Sequence, residues 1–546
     1  MSYNFPVTMP KLDWLTRLED ERAAAGVPYR LLESVPELSY GDEQTENMLI
    51  QGNNLEALKA LLPFYAGRVK CIYSDPPFNT DQTFPDYDDN LEHSQWLSMM
   101  YPALEMQRDL LSTDGTLFIH IDDNELGYLI AIADEVMGRK NRISIVTFKQ
   151  GAATGHKAIN PGPVSVTNFV LIYARYKPDW KPNRLFTGRE RDNRYNQFLI
   201  NPEAPYSEWK LEPLSKAFSR HTGKSIAVMK EELGDGYEAS LNEFVIANAG
   251  RVLRTARPDY DAVSEDAREM ITVSRGDTRK TYCLRRNNYS DMYFLRGERL
   301  LFYKDKLKEI DGELLAGEPL TTLWDDLLSN NLHNEGGVTL PKGKKPEALL
   351  KRVFELSTAV NDLVLDAYLG SGTAAAVAHK MGLRYIGIER GEQAVSKCQP
   401  RLVSVVQGEQ SGISKPMGWK GGGGFRFYRL GSPIFDEQGH IHPSIRFDHL
   451  AAHIWFSETH TPLSHKRKRS PLLGKHNETA YYLLYNGILG DKRPDGGNVL
   501  TRKVLDELPE HDGAKVIYGE SSRLSAATLK QLGIVFKQTP YDVKAR

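Results

Sequence analysis

The stretch Val69-Lys70-Cys71-Ile72-Tyr73-Ser74-Asp75-Pro76-Pro77-Phe78 decides how the rest of the chain is read. Its first six residues form a short apolar run that predicts a buried strand over 69–74. Two consecutive prolines end that strand and stiffen the turn beyond it, because neither can donate to a ladder. The turn therefore presents a carboxylate at Asp75, a carbonyl at Pro76 with no N–H on the next residue, and an aromatic face at Phe78. That set suits a planar base carrying an exocyclic amine. Asp75 and the Pro76 carbonyl accept the two amino hydrogens, and Phe78 stacks on the ring. Taken alone, the same four residues read more readily as a strand ending in a Pro-Pro turn with a capping Asp. A second motif, Asp366 to Gly372, tips the balance.

Around the turn the pattern is strand, helix, strand. Leu49-Ile50-Gln51 predicts a short strand ending at Gly52-Asn53-Asn54, and a helix runs from about Leu55 to Tyr65. After Phe78 comes an Asp-rich polar loop, 79–90, of the length and composition of a binding loop. Trp96, Met99, Met100, Ala103, Leu104, Leu110 and Leu111 recur at helical spacing. Asp114-Gly115 turns the chain into a strand over 116–121, a helix follows over 125–137, and a further strand covers 169–174. The intervening stretch 150–165, with five glycines and prolines, predicts a loop.

The second motif has the same frame. Lys345-Pro346-Glu347 opens a helix, Asn361-Asp362 turns into the strand Leu363 to Asp366, and then comes Ala367-Tyr368-Leu369-Gly370-Ser371-Gly372-Thr373 before an Ala-rich helix. The glycines permit a tight turn and close approach of a ligand to the backbone, and the helix start offers free N–H groups. The next strand ends at Glu389, where a carboxylate accepts both hydroxyls of a ribose. Gly370-x-Gly372-x-x-Ala375 also fits a dinucleotide fingerprint, so the motif by itself admits either a nicotinamide cofactor or S-adenosylmethionine. Asp366 favours the latter, because a carboxylate at that place crowds a pyrophosphate but suits an ammonium or sulfonium.

Composition narrows the class. A chain of 546 residues exceeds one core and predicts three or four domains or lobes. With 40% apolar and 26% charged residues it reads as an ordinary globular protein. No apolar run reaches membrane-spanning length and Met1 to Arg17 holds no signal-peptide core, so a cytoplasmic location with no membrane partner is expected. Cys71, Cys283 and Cys398 lie far apart without C-x-x-C spacing; no disulfide framework, zinc knuckle or other metal site is expected. At a net charge of −2, a nucleic-acid binder must hold its positive charge in a patch.

Elsewhere the signal is weaker. Residues 1–45 read as a small helical region. From 178 to 320 periodicity fades, and residues 201–300 hold sixteen Lys/Arg and sixteen Asp/Glu. Basic clusters occur there with aromatics between them: Lys216, Arg220, His221 and Lys224, then Arg275, Arg279, Lys280, Arg285 and Arg286. Each is as readily a solvated face as a phosphate contact. Lys420 to Gly424 reads as a linker. Beyond it, 514–518, 525–531 and 534–537 read as strand, helix, strand, and Ser464 to Arg469 is a dense basic run.

In both motifs and their order the chain resembles the β group of amino-directed DNA methyltransferases, most closely the Mod subunits of type III restriction–modification systems. Leu49 to Leu58, Trp96 to Asp122 and 339–389 carry the resemblance beyond the motifs; Phe78 stands where many members have Tyr, Asn53 where Asp is common, and Tyr368 where Phe is usual. The resemblance implies an α/β fold: a doubly wound, mostly parallel, Rossmann-like sheet, circularly permuted. It implies an N-terminal region (1–45), a catalytic half (46–177), an inserted target recognition domain (178–325), a cofactor half (326–410) and a C-terminal α+β domain (411–546).

The activity implied is methyl transfer from S-adenosyl-L-methionine to N6 of an adenine flipped out of double-stranded DNA. Asp75, Pro76, Pro77 and Phe78 would be catalytic. Asp366, Tyr368, Gly370, Gly372, Thr373 and Glu389 would hold the cofactor, with Lys345, Pro346 and Asn53 beside it. A restriction–helicase (Res-type) partner and a homodimer are implied as well. Alternatives are methylation of cytosine N4, an RNA or free nucleotide substrate, or a specificity module that mainly recruits a nuclease–helicase.

Overall fold

In the computed structural model the described residues are 11–79, 82–83, 88–89, 92–151, 162–287, 289–310, 312–327, 332–338, 343–436, 440–442, 444–463, 469–485, 488, 497–540 and 542–543. Most of the expected loop 79–90, most of 150–165 and the basic run up to Lys468 lie outside them. The chain forms two compact units: one from 1–183 with 321–546, and one from Arg184–Leu320.

The first unit is built on an eleven-stranded sheet. Six neighbouring strands are parallel, in the order Gly424–Pro433, Met48–Gln51, Arg384–Glu389, Leu363–Asp366, Val69–Ser74 and Leu111–Ile121. Thr167–Ala174 and then Arg142–Lys149 follow antiparallel, and Arg30–Ser34 closes the other side antiparallel to Gly424–Pro433. Strand Val69–Ser74 is central and buried at every residue but the half-buried Lys70, as a strand covered on both faces requires. One group of helices (Arg17–Gly26, Asn54–Tyr65, His93–Leu110, Leu126–Ala133 and Phe447–Thr459) packs together and a second (Glu347–Ser357, Thr373–Lys380, Gln399–Val406) packs together, giving the doubly wound arrangement. The two halves of the sequence meet where Val364, Leu365 and Asp366 pair with Cys71, Ile72 and Tyr73.

Two readings change. The N-terminal stretch is not merely helical: after helix Arg17–Gly26, Arg30–Ser34 is a sheet strand. Nor is Lys420 to Gly424 a free linker. Gly421, Gly422 and Gly423 sit at φ of +91°, +110° and +74°, and a Cβ on Gly421 would come within 2.7 Å of the Val406 carbonyl. They form a packed corner that only glycine fits, delivering Gly424–Pro433 into the sheet beside Met48–Gln51. After it, Leu472–His476, Thr479–Leu483, Lys515–Gly519 and Ile534–Gln538 form a separate four-stranded sheet whose last three strands are parallel.

The second unit is antiparallel. Six short strands run in the order Leu211–Pro213, Gln197–Leu199, Val252–Ala256, Glu298–Phe302, Met292–Leu295 and Tyr282–Leu284. Its core centres on Tyr195, Phe198, Phe218, Phe244 and Tyr303. Strands of three to five residues leave little periodicity to read, which explains the faded pattern there.

Candidate active site

Parallel strands bring their carboxyl ends to one edge, where open α/β sheets form their crevices. Four adjacent strands end there in turn with Asn53 (after Gln51), Glu389, Asp366 and Asp75. Residues separated in sequence by the whole second unit thus become neighbours.

The Asp75 turn is held from several sides. The Trp96 indole, fully buried on helix His93–Leu110, donates to the Pro77 carbonyl at 2.8 Å, one residue beyond the carbonyl expected to meet an amine. Phe78 lies against the His120 ring, centroids 5.7 Å apart and planes 29° apart. His120 is wholly buried; its Nδ1 meets the Tyr73 hydroxyl at 2.8 Å, its Nε2 meets the Asn168 amide at 3.2 Å, and Phe148 packs edge-on at 5.5 Å. Burial pushes the His120 pKa well below its ordinary value, and the nearby Lys345 cation lowers it further, so the ring is neutral. Asn79 takes a left-handed φ of +62°, which Asn tolerates, and donates to the buried Glu125 at 2.6 Å; His93 meets the same carboxylate oxygen at 2.7 Å.

Lys345 belongs with this turn. Its ammonium is 2.8 Å from Asp75 Oδ2 and 4.7 Å from the Phe78 ring centroid. Pro346 is buried and caps helix Glu347–Ser357.

The glycine turn sits one strand away. Asp366 is buried, and its Oδ1 accepts from the Tyr368 N–H at 2.9 Å. Burial raises its carboxyl pKa well above the ordinary value, the Tyr368 N–H opposes this, and the Asp75 and Glu389 charges raise it further. Such a carboxylate favours a cationic neighbour. Glu389 accepts from the Gly370 N–H at 2.7 Å and the Gly391 N–H at 3.3 Å, which pins the loop to the neighbouring strand end. Gly370 and Gly372 have φ of +58° and +83°, and a Cβ on Gly372 would lie 3.3 Å from Cys398 Cα. Thr373 faces inward: its hydroxyl accepts from Arg401 at 2.8 Å. Arg401, fully buried, also pairs with Glu347 at 2.8 Å, and the second Glu347 oxygen takes Lys380 at 2.7 Å and the Ile413 N–H at 3.1 Å. Lys380 pairs with Glu409 as well. The Asn53 side-chain Oδ1 caps helix Asn54–Tyr65 by accepting from the Leu55 and Glu56 N–H groups at 2.9 and 3.3 Å.

The structure therefore gathers Asp75, Pro76, Pro77, Phe78, Lys345, Asp366, Tyr368, Gly370, Gly372 and Glu389 at one sheet edge, with Asn53 beside them and Thr373 beneath. Arg275, Arg279, Lys280, Arg285 and Arg286 lie in the second unit, on and after helix Glu265–Gly276 and strand Tyr282–Leu284. All but the half-buried Arg286 are exposed; Arg286 bonds the Ser290 carbonyl at 2.6 Å and lies over Tyr289. Sequence reasoning missed His120, Tyr73 and Asn168 as supports. The signal for His120 was available: a lone imidazole inside the apolar strand Leu111–Ile121 needs partners.

A family model described as DNA methylase matches residues 69–399. The probable type III restriction-modification enzyme HindVI Mod subunit of Haemophilus influenzae is 32% identical over 70% of this chain and 54% of its own length. The EcoP15I Mod subunit of Escherichia coli is 29% identical over 34% of this chain and 37% of its own. The chain thus spans about half the length of the first of these relatives. A solved structure of a DNA modification methylase from Thermus thermophilus, TTHA0409, overlaps 71% of this chain and all of its own with a TM-score of 0.32 at 13% identity. With the family model covering 69–399, including both the Asp75 turn and the glycine turn, the chain belongs to the DNA methylase family.

Proposed function

We propose that the protein is a site-specific DNA adenine-N6 methyltransferase that uses S-adenosyl-L-methionine, and that it serves as the modification subunit of a type III-like restriction–modification system. One observation carries the reading: the Asp75 turn and the glycine turn end directly paired strands, so a base held by the first lies beside a cofactor held by the second. The residues fit the cofactor. A buried carboxylate at Asp366 answers a cation, the Gly370 and Gly372 backbone leaves room for close approach, and Glu389, at the end of the adjacent strand, is read as the acceptor for a ribose. When bound, S-adenosyl-L-methionine would supply an electrophilic methyl group, its sulfur keeping the electron pair of the S–C bond that breaks.

The chain's own residues do the rest. The adenine N6 lone pair is delocalised into the ring, so the amine is a poor nucleophile. Hydrogen bonds from its two hydrogens to Asp75 and the Pro76 carbonyl favour a more pyramidal nitrogen with its lone pair aimed at the methyl. Phe78, backed by His120, holds the ring in a near-attack position. As the N–C bond forms, Asp75 holds the amino proton that is lost. The basic residues Arg275, Arg279, Lys280, Arg285 and Arg286 are assigned to phosphate contacts within a target recognition domain. A Res-type partner, a homodimer and a cytoplasmic location are part of the same proposal, and the likeness to Mod subunits supports the first; no helix among the described residues is long and apolar enough to cross a membrane.

Single-molecule sequencing of DNA from a methylation-free host expressing this chain tests the reading. One modified-adenine motif is expected. Modified cytosine, or no modification from a folded protein that binds S-adenosyl-L-methionine, would overturn it.

A further inference from the structure

Lys345 makes the contacts that the reading above assigns to the substrate. Its ammonium donates to Asp75 at 2.8 Å and lies over Phe78 at 4.7 Å, while its side chain is only 7% exposed. A flipped base would present an N–H donor to the same carboxylate and a ring to the same phenyl. Two donors and two bodies compete for one place.

The surrounding chain fixes the backbone and frees the stem. On one side Lys344 is buried, its ammonium bonded to the Glu335 carbonyl and, at 2.7 Å, to the Val338 carbonyl. On the other, Pro346 locks its own φ and opens a helix whose first N–H, that of Glu347, donates to the Glu335 carboxylate at 2.9 Å. Between these anchors only the four-carbon stem of Lys345 is left to swing. The Gly343 carbonyl, 3.3 Å from the ammonium, offers an alternative acceptor.

We propose that Lys345 is a positioning residue that stands in for the target base: without a base its ammonium occupies Asp75 and Phe78, and a base enters only by displacing it. The inference rests on the reading of the Asp75 turn as the base site. Its consequence is specificity. An incoming base must then offer more than the pair it breaks. Adenine does so with two amino hydrogens, for Asp75 and the Pro76 carbonyl, together with a stacking face. Bases that expose a carbonyl at the equivalent edge cannot.

The test uses the full chain, S-adenosyl-L-homocysteine in place of the reactive cofactor, and its target duplex with 2-aminopurine beside the target adenine, where the probe brightens as the adenine leaves the stack. Wild-type protein raising the 2-aminopurine fluorescence establishes the base site itself; no rise would defeat that reading and not the role of Lys345. Given the rise, K345M is expected to tighten target-duplex binding about tenfold, with a larger fluorescence rise, while cofactor affinity in calorimetry stays within about twofold. Cofactor affinity falling about tenfold with fluorescence unchanged would make Lys345 a cofactor ligand and overturn the proposal, as would no change in either. Should K345M fail to fold, K345R carries the test, because its planar fork grips Asp75 more firmly; a fluorescence rise several-fold smaller than wild type is expected, and an equal one overturns the proposal.

Discussion

At the end of the Asp75 strand the turn leans largely on neutral groups: two prolines, the Trp96 indole, and the His120 ring fixed by Tyr73 and Asn168. One strand away, the glycine turn leans on buried charge, with Thr373 on Arg401, Arg401 and Lys380 on Glu347, and Lys380 on Glu409. The two kinds of support behave differently. Removing one member of a buried ion network strands its partners in a low dielectric, so that scaffold is all or nothing. Aromatic and neutral contacts yield in smaller steps, which suits a surface that must exchange one occupant for another.

The comparison can be broken at either end. Asp75→Ala is expected to lower methyl transfer by about 10³-fold or more while cofactor binding survives, since no buried charge is left bare on the cofactor side. Initial rates and calorimetry check it; equal loss of both would place Asp75 in the scaffold. Glu347→Ala takes from the buried Arg401 its carboxylate partner and leaves Lys380 with Glu409 alone, and a loss of about 3–5 kcal/mol in denaturant unfolding is expected. A loss under about 1 kcal/mol would mean the network relaxes onto water. Glu389→Ala removes the acceptor of the Gly370 N–H and is expected to raise the cofactor KM about tenfold or more with little effect on the DNA KM.

The smallest effect is one of pH. His120 is neutral in the fold because burial lowers its pKa from an ordinary 6.5. In the unfolded chain it binds a proton at about pH 6.5, so below that pH the unfolded state holds more protons. His120 therefore contributes stability above about pH 6.5 that is lost as pH falls, by at most ~1.4 kcal/mol per unit. Thermal unfolding from pH 7.5 to 5.5 is expected to be steeper for wild type than for His120→Gln.

How much of this was legible follows from how local each signal is. Asp75-Pro76-Pro77-Phe78 and Gly370-x-Gly372 announce themselves because prolines and glycines constrain a backbone within a few residues. The edge that unites them was legible only as a resemblance, since pairing of Leu365 with Ile72 leaves no local trace. Gly421 to Gly423 misled: composition registers glycine as freedom, whereas here positive φ and the Val406 carbonyl require it. His120 looked like one more residue of an apolar strand, because its partners Tyr73 and Asn168 come from two other strands. Lys345 was legible as a site residue, but which half of the site it serves depends on where a flexible stem points.

The central strand Val69–Ser74 pairs on one side with Leu111–Ile121 and on the other with Leu363–Asp366. During translation the first neighbour emerges almost at once, but the second follows roughly 290 residues later, about 15–60 s at ribosomal speeds of ~5–20 residues per second. For that interval a strand that is almost fully buried in the finished fold has a bare edge while all of Arg184–Leu320 is being made. Such an edge is a template for wrong partners. Protein yield in the cell should therefore depend on chaperones and on the tempo of synthesis across the insert.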